Sequence, residues 1–177
     1  MRQNNKIVSP MSNEGRNTFV LDCLTEALLK LLKEKKLIDI SITELIDKAG
    51  VGRASFYRNF KTKEDILIRH ADSITKEFVN NQKFKYESTH FYEYVIMLFE
   101  HLNNHRQFET ILMKNNLIYI IENMFDKYFL INASNLSEQF RQMYIAGGFY
   151  NVFKFWLMNG CKETPTELAD MFIGFIK

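Results

Sequence analysis

Apolar positions recur along this chain at three- and four-residue spacing, and the pattern is tightest between residues 42 and 60. Ile42, Leu45, Ile46 and Ala49 stand at i, i+3, i+4 and i+7, one stripe of a short helix. Ser41 and Glu44 have capping-box spacing and set its start. Gly50 suits the left-handed turn that ends a helix, and Gly52 lets another begin at once. In that second helix, Arg53 to Phe60, Phe56 and Phe60 point inward and leave the polar side chains outward.

The same periodicity predicts a first helix from about Glu14 to Lys36, with Val20, Leu24, Ala27, Leu28 and Leu31 inside. Thr62, with Asp65 three residues on, caps a fourth helix running to about Asn80. A polar hinge over residues 81–88 follows. Phe91, Tyr94, Val95, Leu98 and Leu102 mark the next helix, then a short one near Gln107–Lys114 and another from about Leu117 to Leu130. Residues 131–136 read as a connection. A long helix spans about Ser137 to Asn159, Gly160 stands at its C-terminal cap, and Thr164-Pro165 opens the last. The expectation is an all-α chain of about nine helices, three in an N-terminal head and six in a C-terminal body.

Composition sharpens this picture. Of 177 residues, 46% are hydrophobic, enough for a core. Between Arg53 and Ala146 there is no glycine, no proline and no hairpin signal, which excludes a sheet there. Residues 1–68 carry 12 basic against 9 acidic side chains, whereas residues 69–177 carry 11 against 12. The net charge of +2 is too small for a nonspecific nucleic-acid binder, but its distribution fits a basic head on a near-neutral body. Cys23 and Cys161 read as ordinary small hydrophobes in a reducing, cytoplasmic setting, with no apolar leader in the first fifteen residues. The stretch Met143–Met158 is shorter than a membrane span and contains Asn151 and Lys154, so it reads as a buried helix and no membrane is involved.

Arg53, Arg58, Lys61 and Lys63 form a basic run without an acid. Such a run alone is most often a solvated helix face. Carried on a short polar helix held against a preceding one, it suits the major groove of DNA. The segment Ala49-Gly50-Val51-Gly52-Arg53-Ala54-Ser55-Phe56-Tyr57-Arg58-Asn59-Phe60, followed by Lys63-Glu64-Asp65-Ile66-Leu67, closely resembles the helix-turn-helix of the TetR family of bacterial transcriptional regulators. Gly52 departs from the family's usual Ser or Thr cap, and Asn59 from its usual His. Tyr144-Ile145-Ala146-Gly147-Gly148 through Trp156-Leu157-Met158-Asn159-Gly160 resembles the long penultimate helix of one subgroup, so the resemblance spans the chain, loosely after residue 90.

The resemblance implies three segments. Residues 1–62 would form the DNA-binding domain, with 1–12 a flexible tail bringing Arg2 and Lys6 near the DNA backbone. Residues 63–80 would connect it to a ligand-binding and dimerisation domain at 81–177. Mapped onto matching positions, Arg53 and Ser55 would reach base edges. Tyr57, Asn59 and Lys63 would hold phosphates, with Ser41, Thr43, Arg58 and Lys61 around them. The partner would be double-stranded DNA with an inverted-repeat operator. Family members also hold a ligand cavity in the body. Phe91, Tyr94, Leu98, His101, Phe149 and Phe153 are candidates for its lining, although any one of them could be ordinary core, and a small, mostly apolar effector would suit them. Because Met143–Met158 is apolar nearly all round and Gly147-Gly148 permits close approach, a second copy is the expected partner of this helix, through Gly147, Gly148 and Trp156.

Other chemistry finds little support. His101 and His105 have metal-ligand spacing, but there is no HExxH and no third ligand nearby in sequence, so no metal is expected. With no phosphate loop, nucleophile elbow or paired-carboxylate pattern, no catalytic residue, cofactor or enzymatic activity is expected either. The function implied is a DNA-binding regulator, usually in this family a repressor released by a small effector. An activator of the same family and a helical small-molecule-binding protein without DNA activity are the alternatives.

Overall fold

The computed structural model describes residues 13–81, 83, 88–129 and 133–176. The tail with Arg2 and Lys6, most of the expected hinge, Leu130 at the end of its expected helix and residues 131–132 of the connection after it lie outside them. Among the described residues the fold is all-α, with eight α-helices and two 3-10 turns at Leu37–Asp39 and Ser88–His90. The helices are α1 (Asn13–Leu32), α2 (Ile42–Ala49), α3 (Arg53–Asn59), α4 (Lys63–Asn81), α5 (Phe91–Lys114), α6 (Tyr119–Phe129), α7 (Leu136–Met158) and α8 (Pro165–Ile176). Eight replaces the expected nine because Phe91–Lys114 is one unbroken helix. The polar run Asn103–Gln107 contains no glycine or proline and rides on the outer and half-buried faces of α5.

The chain divides into two compact units, residues 1–66 and 67–177. In the first, α1 buries Leu21, Leu24, Leu28 and Leu31 on one stripe and packs against α2 and α3. The α2 N-terminus is fixed by Ser41, whose Oγ accepts from the Glu44 N–H at 3.0 Å. Gly50 ends it at φ 65°, and the Val51 N–H donates to the Ile46 carbonyl at 3.0 Å, the αL turn that closes a helix. Leu45, Ile46, Phe56 and Phe60 complete this core. Thr62 and Asp65 cap α4 reciprocally: Asp65 Oδ2 accepts from the Lys61 and Thr62 N–H groups, and Thr62 Oγ1 accepts from the Asp65 N–H.

In the second unit α5 packs on α8 and α7, and α6 packs on α7. Phe99 lies at the centre, within 6.5 Å of the rings of Phe149, Trp156 and Phe172. Phe149 and Phe172 stack at 4.0 Å, directly over Gly148, where an added Cβ would stand 3.4 Å from the Phe172 ring. Asp72 of α4 accepts from Lys127 Nζ at 2.5 Å and Tyr128 Oη at 2.7 Å on α6, with Lys76 at 2.8 Å. Burial alone would raise that carboxyl, but Lys127, Lys76 and Tyr128 outweigh it and hold Asp72 well below its ordinary range. No helix among the described residues is long and apolar enough to cross a membrane.

Candidate nucleic-acid interface

Helix α3 has only seven residues, too short to be stable alone, so its placement rests on tertiary anchors. Phe56 is fully buried and Phe60 nearly so, their rings 6.2 Å apart. Each buried phenylalanine contributes roughly 1.5–3 kcal/mol. The remaining positions turn outward. Arg53, Ala54, Tyr57 and Arg58 are exposed, and Ser55 and Asn59 are half-buried. The Tyr57 ring meets Phe56 edge-on at 5.1 Å, which fixes its direction while leaving it half in solvent.

Several polar groups on this face are already oriented. Arg53 Nη2 donates to Thr43 Oγ1 at 2.8 Å, linking α3 to the first turn of α2 and holding the guanidinium in place. Asn59 Nδ2 donates to the Ser55 carbonyl at 2.8 Å, leaving one amide hydrogen and Oδ1 for another partner. Ser41 is exposed, and its hydroxyl hydrogen remains a donor while its oxygen caps α2. Lys61 is exposed as well. Gly52 provides no side-chain cap, so the start of α3 relies on backbone alone.

Lys63, expected on a phosphate, is also tied to the chain's own backbone. Its Nζ donates to the carbonyls of Leu37, at 2.6 Å, and Ile40, which ties the 3-10 turn to the start of α4. Burial lowers its pKa, while Asp39 and Glu44 oppose that shift. Two of its three donors are therefore held inside the head.

The other candidates lie in the second unit. Of the six expected pocket residues, Leu98 and His101 line a cavity formed with α4 and α6. The remaining four sit in aromatic packing. Tyr94 lies against Phe78 and Phe129, Phe91 and Phe149 against each other, and Phe153 against Trp156. Trp156 also moves from its expected role at a subunit contact. It is 2% exposed, and its Nε1 donates to the Glu163 carbonyl at 3.1 Å, so it serves this chain's own core. Gly148 faces Phe172, and Gly147 has open space where a Cβ would stand. Among the described residues no three His, Cys, Asp or Glu side chains come together to hold a metal.

The sequence reading missed Glu109, which is buried in the cavity wall. The signal was present: it stands four residues after His105 and eight after His101, among Phe108, Ile111 and Leu112.

A short basic helix, held by two buried phenylalanines on a capped preceding helix, defines a helix-turn-helix DNA-binding protein. The family model for bacterial regulatory proteins of the tetR family matches residues 24–69, and that for a transcriptional regulator C-terminal region matches residues 89–177. The chain belongs to the TetR family of transcriptional regulators. No curated protein matches it in sequence. Among solved structures, a TetR transcriptional regulator from Streptococcus agalactiae 2603V is 17% identical and aligns with TM-score 0.66 over 96% of this chain and 99% of its own. The fatty acid degradation regulator FadR from Bacillus halodurans is 20% identical, with TM-score 0.61 over 86% of this chain and 92% of its own. The dihydroxyacetone kinase operon activator DhaS is 17% identical, with TM-score 0.57 over 88% and 93%. These likenesses establish a shared fold.

Proposed function

We propose that this protein is a homodimeric, cytoplasmic repressor that binds an inverted-repeat operator through α3 and releases it when a small effector enters the body. The observation that carries the DNA reading is the outward face of α3, which presents Arg53, Tyr57 and Arg58 without an acid on an anchored helix. Arg53 and Ser55 read base edges, the former already oriented by Thr43. Tyr57, Arg58, Asn59, Lys61 and the Ser41 hydroxyl hold phosphates. Lys63 is a positioning residue that fixes the turn before α2 relative to α4.

The dimer reading follows from exposed apolar surface. On α7, Leu136, Phe140, Met143, Tyr144, Phe155 and Met158 all face solvent in the single chain, and on α8 so do Met171 and Phe175. They recur at helical spacing along one side of each helix, and a stripe of that size needs a partner. A two-fold copy buries the same stripe against itself and brings two heads to two half-sites. The effector reading rests on the cavity between α4, α5 and α6, and on α4 being one continuous helix that begins in the DNA-binding unit. An effector shifts DNA affinity only by its preference between two states.

A gel shift on DNA flanking the protein's own gene tests the reading. Specific retardation is expected, lost in Tyr57→Ala with helical content intact. Equal affinity of both proteins for that DNA would sink the assignment of α3. Because the same fold serves an operon activator in DhaS, a promoter-reporter strain reads the sign. Repression predicts higher expression when the protein is deleted.

A further inference from the structure

Inside the helical body is a cavity of about 30 Å³, walled by side chains of α4, α5 and α6. Its lining is apolar apart from Thr75, His101 and Glu109. The Thr75 hydroxyl already donates to the Ala71 carbonyl at 2.9 Å. Burial, helped by His105, pushes His101 down to about 4, so at neutral pH its ring carries no charge. Glu109 is only 3% exposed, and its Oε2 has no hydrogen-bond partner among the described residues. Burial pushes that carboxyl well above its ordinary value. A buried carboxyl oxygen without a donor is a destabilising arrangement, and an apolar side chain of similar shape would suit the empty core better. Such a group is complementary to something that the empty cavity lacks: a hydrogen-bond donor, best of all a charged one.

A second, open depression of about 350 Å³ lies between α4 and α5. It is lined by Glu77, Asn81, Met97, Glu100, Asn104 and His105, and neither hollow has a lysine or arginine in its wall. Phe78 and His101 belong to both, their rings 4.8 Å apart. Side chains common to both walls thus separate the two hollows, and entry of a guest requires them to move. The inner space is large enough for a water-sized group such as an ammonium head. The outer one holds a short carbon chain. Two outer carboxylates and an inner carboxyl disfavour anions, and a neutral apolar guest would leave Glu109 unpaired.

We propose that the body binds a small aliphatic amine as its ammonium cation, with the nitrogen on Glu109, whose carboxyl gives up its proton to solvent as the cation arrives, and the carbon chain against His101 and Phe78. This deepens the effector reading of the body and rests on it only for the link to DNA. The outer carboxylates Glu77 and Glu100 draw the cation in, and the neutral His101 lets it pass without repulsion.

Isothermal titration calorimetry of the full chain at neutral pH, with n-butylamine, n-butanol and butyrate as probes, tests the site. The amine should bind at one per chain and at least about 30-fold tighter than the alcohol, the scale expected for pairing a buried charge. Butyrate should not bind. Glu109→Gln, which keeps the shape but cannot give up a proton to become a carboxylate, should bring amine affinity down to that of the alcohol while leaving operator affinity of the empty protein unchanged. Equal affinity for amine and alcohol in the wild type, no amine binding at millimolar concentration, or undiminished amine binding by Glu109→Gln overturns the proposal. If Glu109→Gln fails to fold, the wild-type comparison of amine with alcohol decides alone. Amine binding without a change in operator affinity keeps the site and overturns the effector reading. Operator release by neutral or anionic compounds that bind in this cavity does the reverse.

Discussion

Replacing Lys63 with methionine separates a structural lysine from a DNA-contacting one. The substitution keeps the stem and removes the ammonium that donates to the Leu37 and Ile40 carbonyls. A hydrogen bond from a charged group is worth about 1.5–3 kcal/mol when well sheltered. Lys63 is only half-buried, so water replaces part of what is lost. A cation at the first position of α4 also opposes the helix dipole, and removing it returns about 0.3–1 kcal/mol. The net expectation is a loss of about 1–2 kcal/mol, or a fall of roughly 2–8 °C in the melting temperature for a chain of this size. Thermal unfolding followed by circular dichroism reads this directly. Operator binding measured by fluorescence anisotropy across a salt series supplies the second axis. With the ammonium held on carbonyls, the slope of log affinity against log salt should stay the same in Lys63→Met. A lysine on a phosphate would lower that slope by about one. An unchanged melting temperature together with a slope reduced by one would refute the clamp.

Phe56→Ala should cost about 3–5 kcal/mol and abolish operator binding by releasing α3, whereas Tyr57→Ala should abolish binding at nearly full stability; paired denaturant melts and gel shifts distinguish them. Gly148→Leu should destabilise the chain by about 1–3 kcal/mol, because its side chain overlaps the Phe172 ring, yet leave the oligomeric state alone. Phe155→Glu, on a ring 70% exposed, should instead yield a folded monomer in sedimentation equilibrium, and an intact dimer there would place the interface elsewhere. His101 titrates near 4 when folded and near 6.5 when unfolded, so the unfolded chain holds the extra proton between those values and the stability from this group is lost as pH falls through them. Against His101→Gln, the wild type should lose about 1–2 kcal/mol between pH 6.5 and pH 4 after allowance for solvent screening, and the comparison removes the opposite trend from Glu109. Parallel urea melts of the two proteins at both pH values check it, and identical losses would remove His101 from the account.

What could be read from the sequence was mostly what is decided locally. The α2–α3 motif is specified within twenty residues by a cap, an αL glycine and two phenylalanines at i and i+4, so its helices and inward side chains follow from spacing alone. The continuity of α5 did not, because a polar run on a solvent-facing arc has the same composition as a loop. The roles along α7 were also hidden. A helix apolar nearly all round offers its residues both to the chain's own core and to a partner, and periodicity cannot tell Trp156, which went inward, from Phe155, which did not. The tie from Lys63 to the Leu37 and Ile40 carbonyls and the burial of Glu109 were not legible, because what they meet is 23 to 26 residues away in one case and on other helices in the other.

The position of the exposed stripe on α7 and α8 has a consequence for how the chain is made. The DNA-binding unit ends at Ile66, and the first residue of the stripe is Leu136. At about 5–20 residues per second, those roughly 70 residues take some 4–14 s to synthesise, far longer than a small helical unit needs to fold. The exposed apolar surface therefore emerges onto a chain whose head is already closed. On a nascent chain, premature pairing of two stripes would hold unfinished neighbours together, and placing the stripe late in the order of synthesis keeps that hazard short.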